Sequence, residues 1–266
     1  MGYSSLLKKA SLVGAFFVSA IYLAPALAFC SMPAGLPSVA VQRVVDGDTL
    51  RLSDGRSIRL IGLNSPELQH RQRSAEPFAE AARKQLQALV TASDGRIRLQ
   101  VGRQGKDHYG RTLAHVYDAQ GRNLEAQMLA AGLGYLVAIA PNVDLVDCQR
   151  VAERGAREAG LGVWHQSPVQ AASRLRHSGF ALIRGEVRRV EHNSGGVWLE
   201  MGDALVLRVS GEALDSFEVR QLEALAGSRV EARGWVVDRA QRGGLKPGQA
   251  RWLLPLTHQA MLDVLP

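Results

Sequence analysis

Cysteine is nearly absent. Only Cys30 and Cys148 occur in 266 residues, and at that spacing they suggest no cysteine-based metal site. In an oxidising compartment the two could pair and tie the N-terminal region to a later helix. In the chain-entropy model such a closure is worth about 4–5 kcal/mol. The other reading is two unrelated buried thiols. Long apolar runs are missing after residue 28, so nothing beyond it is long enough to cross a bilayer. Acidic residues are in the minority, 25 against 32 Lys and Arg, for a net charge of +7. So mild a basic excess fits a polyanionic partner without requiring one.

The first residues carry a pattern of their own. Lys8 and Lys9 precede an apolar run from Leu12 to Leu23, and Ala26-Leu27-Ala28 offers the small-x-small motif of a signal-peptidase site. Residues 1–28 therefore read as a signal peptide, with a mature chain starting near Phe29 and a secreted or periplasmic destination. The alternative is an uncleaved anchor, the one case in which a membrane would be a partner. Cleavage removes two lysines and no acid, so +7 becomes +5. The remaining length suffices for two modest domains.

Alternation and turn chemistry divide the rest. Val39–Val45, Thr49–Leu52 and Ser57–Leu63 read as strands, with Asp46-Gly47 and Asp54-Gly55 as turns. Glu76 to Val90 reads as a helix with Phe78, Ala81, Ala82, Leu86 and Leu89 on one side. Ile97–Val101 and Leu113–Tyr117 read as strands. Helices follow at Asn123–Ala131 and Asp144–Ala159, the latter ended by Gly160. The predicted first domain covers 38–166, and the polar stretch 167–178, broken by Pro168, reads as a linker. In 179–266, strands are predicted at Phe180–Val190, Val197–Met201, Ala204–Val209, Arg229–Val237 and Trp252–Thr257, with a helix at Glu212–Ala226. The fold class is thus mainly β with helices (α+β). It comprises a five-stranded OB-type barrel with three helices, then a second, OB-like barrel in an accessory domain.

One constellation carries chemistry. In Val45-Asp46-Gly47-Asp48-Thr49, Asp48 can ligate a hard cation beside a tight turn, with Asp46 supporting it. Taken alone, this is also what an ordinary hairpin turn looks like. In Arg59-Leu60-Ile61-Gly62-Leu63-Asn64-Ser65-Pro66-Glu67, the Asn64 side chain and the Ser65 carbonyl offer further oxygens. Glu67 can act as a general base, and Arg59, by default a surface arginine, alternates with apolar residues and can face the same cleft. Arg111, in Tyr109-Gly110-Arg111, can grip two phosphate oxygens at once. Carboxylates for a cation beside arginines for a phosphate suit phosphodiester hydrolysis. A metal-independent phosphodiesterase is disfavoured, because no histidine pair or nucleophile motif is evident among the 7 histidines.

These motifs resemble the staphylococcal-nuclease family of calcium-dependent secreted nucleases. The likeness continues through Gly121-Arg122-Asn123-Leu124, Ala131-Gly132-Leu133 and Gly160-Leu161-Gly162-Val163-Trp164, so it covers about 38–166 in unbroken order. The resemblance implies an OB-type barrel and cleavage of DNA and RNA to 3′-phosphate ends. By matched position it implies Asp48 as metal ligand with Asp46 behind it, Glu67 as base, and Arg59 and Arg111 as phosphate clamps. Tyr109 matches a substrate contact. His108 stands where the family commonly has lysine, and is counted with Tyr109 as substrate-binding. Asn64 replaces the usual aspartate ligand, which lowers the expected Ca²⁺ affinity and opens the site to Mg²⁺ or Mn²⁺. Ser65 replaces threonine, and Ala138 and Ala140 stand where tyrosines are frequent.

In the accessory domain, Trp198 lies out of phase with Val197, Leu199 and Met201, and Arg239, Arg242, Lys246 and Arg251 crowd a Gly-rich loop. Together they are a candidate single-strand surface; otherwise they are barrel edge and solvated charge. The leading reading is an exported endonuclease acting on DNA and RNA with no stable protein partner. The alternative is a nucleic-acid-binding or protein-interaction scaffold with weak or no catalysis.

Overall fold

The structure, a computed structural model, describes residues 30–69, 74–202, 204–242, 245 and 248–266. The predicted signal segment, Lys246 and the side chain of Arg242 lie outside the described residues.

Strands β1 (Ser38–Val44), β2 (Thr49–Leu52) and β3 (Ser57–Leu60) form a meander, and the two-residue β4 (Leu63–Asn64) leaves it. Helix α1 (Ala79–Thr91) leads to β5 (Arg96–Lys106) and β6 (Thr112–Tyr117). The strands close into a barrel in the order β1-β2-β3-β6-β5, with β3 and β6 parallel and the other pairs antiparallel. Alternation fills it. Leu50, Leu52, Ile58, Leu60, Ile97 and Leu99 point inward and are all but inaccessible, each worth about 1.5–3 kcal/mol for its burial.

Helix α2 (Leu124–Ala130) begins where Asn123 caps it, its side chain accepting from the Ala126 N–H at 2.9 Å. β7 (Tyr135–Leu136) pairs with β4, and α3 (Val146–Glu158) completes the first unit. Cys30 and Cys148 form a disulfide across 118 residues, fixing the start of the described chain to α3.

Two sequence expectations shift here. The helix of 76–90 starts later, because Phe78 takes a left-handed backbone (φ 68°) and stands 40 % exposed outside the helix. The buried stripe is accordingly Ala79, Ala82, Leu86 and Val90, and Ala81 faces solvent. The third strand ends at Leu60, because Gly62 turns with φ 89° and lies so close to Gln149 that a Cβ would meet its Oε1 at 2.0 Å.

The second unit opens inside the predicted linker. β8 (Val169–Ala171) pairs in parallel with β9 (Gly179–Glu186), and Ala172 and Leu175 are buried behind it. The apolar residues of 167–178 thus give the segment a place in the sheet that its polarity concealed. Then come β10 (Arg189–Asn193), β11 (Gly196–Met201), β12 (Leu205–Val209), α4 (Val219–Glu223), β13 (Arg229–Asp238), β14 (Trp252–Leu256) and β15 (Leu262–Val264). The sheet runs β10-β11-β12-β14-β13-β9-β8, with β15 also on β13 and β12 parallel to β14. β9 and β10 are two halves of one bent segment, bridged where Val187 N–H donates to Ser228 and Arg188 N–H to Glu200. The sheet therefore returns on itself along the path of the first barrel. The long helix expected at 212–226 is instead a 3-10 turn, Gly211–Ser216, and the five-residue α4. Of that stretch only Leu222 and Leu225 are buried, too few to hold a continuous helix against the sheet.

The units are joined along α3. Arg233 on β13 bonds Glu153 at 2.6 and 2.7 Å, both nearly inaccessible. Arg157 grips Glu231 in two bonds of 2.6 and 2.8 Å. Arg150 pairs with Asp263, and Thr257 Oγ1 donates to the Ala138 carbonyl at 2.6 Å. Tyr135 packs its ring on both Trp164 and Phe180, each at 5.4 Å.

Candidate active site

The turn between β1 and β2 is drawn tight. Gly47 lies against α1 and Ser65 so closely that an added Cβ would stand 2.6 Å from the Ala82 Cβ. This pulls Asp48 inward to 6 % exposure. Its Oδ1 accepts from the Thr49 hydroxyl at 3.0 Å, and its Oδ2 accepts from the Ser65 N–H at 2.8 Å and the Ser65 hydroxyl at 3.1 Å. Asp46 accepts the Asp48 N–H at 3.0 Å and so holds the turn from behind.

Arg59, directly across from Thr49 on β3, lies over this carboxylate with Nη2 3.1 Å from Asp48 Oδ2. Its Nη1 donates to the carbonyls of Leu60 (2.8 Å) and Leu63 (2.7 Å), which fixes the guanidinium in place. Arg111 is held at one edge only. Its Nε donates to Asp107 Oδ2 at 2.7 Å, and both Nη groups lack a protein partner among the described residues. Burial alone would raise the Asp107 carboxyl, but the side-chain and backbone N–H groups of Arg111 hold it below its ordinary range. Tyr109 is 74 % exposed, 5.4 Å beneath the Arg111 guanidinium and 3.7 Å ring to ring from His108.

All of these side chains open on one cleft of about 660 Å³, lined by Asp46, Asp48, Arg59, Asn64, Glu67, His108, Tyr109 and Arg111. Ser65 lies behind Asp48 rather than on the wall, 3 % exposed, its N–H and hydroxyl already engaged. Glu67 stands exposed at the rim, its N–H bonded to Glu76 Oε2 at 3.0 Å.

Negative charge is crowded here. Burial, then the neighbouring Asp48 charge, push the Asp46 carboxyl up to about 6. Burial, Asp48 and Glu76 raise Glu67 against the pull of Arg59 and Arg111. Such a cluster is relieved by a cation, and its donors are all oxygen. No group of three or more His, Cys, Asp or Glu forms a ready-made metal site among the described residues. Part of an ion's shell would therefore come from amide, carbonyl, water and phosphate oxygens, the ligands that calcium and magnesium accept.

Sequence reasoning did not find the far wall. Gln104 and Asn142 are clasped by two 2.9 Å bonds, and Ile139 and Trp235 complete the cleft. Trp235 belongs to the second unit. Its signal was present: like Trp198, it alternates out of phase with the buried Val230, Ala232 and Val236 of its strand. Trp198 itself lies elsewhere, with Arg208 4.9 Å over its ring and its indole N–H bonded to Asn193. In the basic loop, Arg251 is paired with Asp238 at 2.7 Å, and Arg239 donates to Gln249 and to the Ala250 carbonyl.

The staphylococcal nuclease homologue family matches residues 57–166 of this chain. The chain is 31 % identical over 132 residues to a thermonuclease of Staphylococcus intermedius, covering 48 % of this chain and 77 % of that protein. It is 30 % identical over 135 residues to an uncharacterized endonuclease of Haemophilus influenzae, covering 49 % and 68 %. It is 28 % identical over 159 residues to endonuclease YhcR of Bacillus subtilis, covering 54 % of this chain and only 13 % of that longer protein. The second unit lies outside the residues that the family matches.

Proposed function

From the premise that the chain belongs to the staphylococcal nuclease family and is an endonuclease, we propose that it is exported and calcium-dependent, hydrolysing DNA and RNA to 3′-phosphate ends. The observation that supports this most is the convergence of Asp48, Glu67, Arg59 and Arg111 on one cleft. Asp48, the Asn64 side chain and the Ser65 carbonyl would hold Ca²⁺, or Mg²⁺ or Mn²⁺ given the neutral Asn64, with Asp46 supporting Asp48. Bound there, the ion supplies positive charge to a non-bridging phosphate oxygen. Glu67 takes the proton of the attacking water, whose oxygen bonds to phosphorus as the P–O5′ bond breaks, and the 5′-oxygen leaves as a hydroxyl with a proton from solvent. Arg59, already locked by two carbonyls, and Arg111, with both Nη groups open, meet the charge that builds on phosphorus. Tyr109 and His108 contact the chain beside the scissile phosphate. The Cys30–Cys148 disulfide supports an oxidising, secreted or periplasmic setting, and no described helix is long and apolar enough to cross a membrane.

The neutral Asn64 favours a second reading, a nucleic-acid-binding scaffold with little catalysis. Incubating plasmid DNA and RNA with Ca²⁺, Mg²⁺, Mn²⁺ or chelator separates the two. Cleavage in at least one ion, lost with chelator, is the expected result. Retardation without cleavage in every ion supports the scaffold. Asn64→Asp should lower the calcium needed for half-maximal rate; an unchanged requirement removes Asn64 from the ligands.

A further inference from the structure

We propose that Trp235, carried by the second unit, is a stacking platform for a nucleobase of single-stranded substrate, so that the two units build the cleft together. This rests on the nuclease reading above and adds a base-binding element from outside the family-matched residues.

Position comes first. Trp235 lines the same cleft as Asp48, Arg59, Glu67 and Arg111, yet it lies on β13, some 70 residues beyond the end of the family match. Glu231, Arg233 and Trp235 alternate along one face of β13, the face turned toward the first unit. Glu231 and Arg233 are locked there by Arg157 and Glu153. Those ion pairs fix the strand, and the next position on that face projects the indole into the cleft.

Rigidity comes second. The Trp235 ring meets Phe180 edge-on at 5.2 Å and 64°, Phe180 meets Tyr135 at 5.4 Å, and Tyr135 meets Trp164 at 5.4 Å and 82°. This file of four rings crosses the junction of the units and ends in solvent at Trp235, which is 40 % exposed. A well-supported ring with a free side suits stacking, because little freedom is lost when a base lands on it. Arginines for a phosphate and, on the same cleft, an exposed indole with the apolar Val137 and Ile139 also among the lining residues match the two surfaces of a nucleotide. A base stacked there is unpaired, so the platform favours single strands over duplex.

The test is equilibrium binding of a short end-labelled oligodeoxythymidylate to the full chain in Ca²⁺, using Glu67→Gln to prevent turnover, followed by the anisotropy of the label. Trp235→Ala is expected to weaken binding by about ten- to a hundredfold, as loss of one stacked base does elsewhere, and Trp235→Phe to restore most of it. An abasic residue moved along the oligonucleotide should weaken binding at one position in the parent and at none in Trp235→Ala, a pattern that a merely structural role would not produce. In the turnover-competent protein, Trp235→Ala should raise KM with little change in kcat. Alanine binding within twofold of the parent, or uniform tolerance of abasic sites by the parent, overturns the platform. If alanine fails to fold, Trp235→Leu takes its place in the scan: loss of the sensitive position there supports the platform, and its persistence, which would point to Tyr109, overturns it. Binding is read without cleavage, so a protein that retards but never cuts would sink the nuclease reading and leave this measurement decisive.

Discussion

In both units an arginine on the strand that follows a hairpin, β3 in the first and β12 in the second, reaches back toward that hairpin's turn. In the first, Arg59 stands across from Thr49 and lies 3.1 Å from the Asp48 carboxylate. In the second, Arg208 stands across from Trp198 and donates to the Gly195 carbonyl at 2.9 and 3.1 Å. The turns differ in kind. Asp46-Gly47-Asp48 concentrates carboxylates at a cleft, whereas Asn193-Ser194-Gly195 satisfies itself, the Asn193 side chain accepting from the Gly195 N–H and the Trp198 indole. The shared path decides where the arginine points, and a few turn residues decide whether it meets chemistry or only backbone. The second barrel contributes through its flank instead, by ion pairs to α3 and by Trp235.

The largest expected effect strikes that flank. Arg233→Met leaves Glu153 buried and charged without its partner, and should cost about 3–5 kcal/mol in urea unfolding. Adding Glu153→Gln should recover much of the loss; a negligible cost for the single change would mean that the flank does not hold the units together. Next, Arg59→Ala should lower the cleavage rate by about 10²–10³-fold, while Arg208→Ala should leave the rate unchanged and cost only about 1 kcal/mol of stability. Equal effects on rate would abolish the distinction between the barrels. The smallest effect is on pH. Burial would raise Glu231, but its bonds to Arg157, and then to Arg184, hold it below the ordinary glutamate value. A carboxyl depressed in the folded state contributes stability above its unfolded value, and that contribution is lost as pH falls through the folded one. Stability should therefore decline on acidification below the ordinary glutamate range, and less steeply in Glu231→Gln; parallel curves would remove Glu231 from the account.

What the sequence disclosed follows from where its signals are local. Alternation in 49–60, 97–101 and 113–117 is short-range and was readable, whereas the Asn123 cap came from the structure. That Asp48, Arg59, Glu67 and Arg111 share one cleft was readable too, because turn and strand-end motifs carry them. Phe78 was misplaced because helical periodicity does not register a left-handed residue at the helix start. The helix at 212–226 was overdrawn because its apolar spacing promised a face that the sheet does not bury. Trp235 was overlooked because its partner surface, Tyr135 with α3, comes from another part of the chain and appears only when the units meet.

The most direct test of the central claim is single-turnover cleavage of a labelled single strand by Glu67→Gln in saturating calcium, with binding measured on the same preparation. The account predicts unaltered binding and a rate lower by about 10²–10⁴-fold, as loss of a general base gives. Full turnover in Glu67→Gln would contradict it.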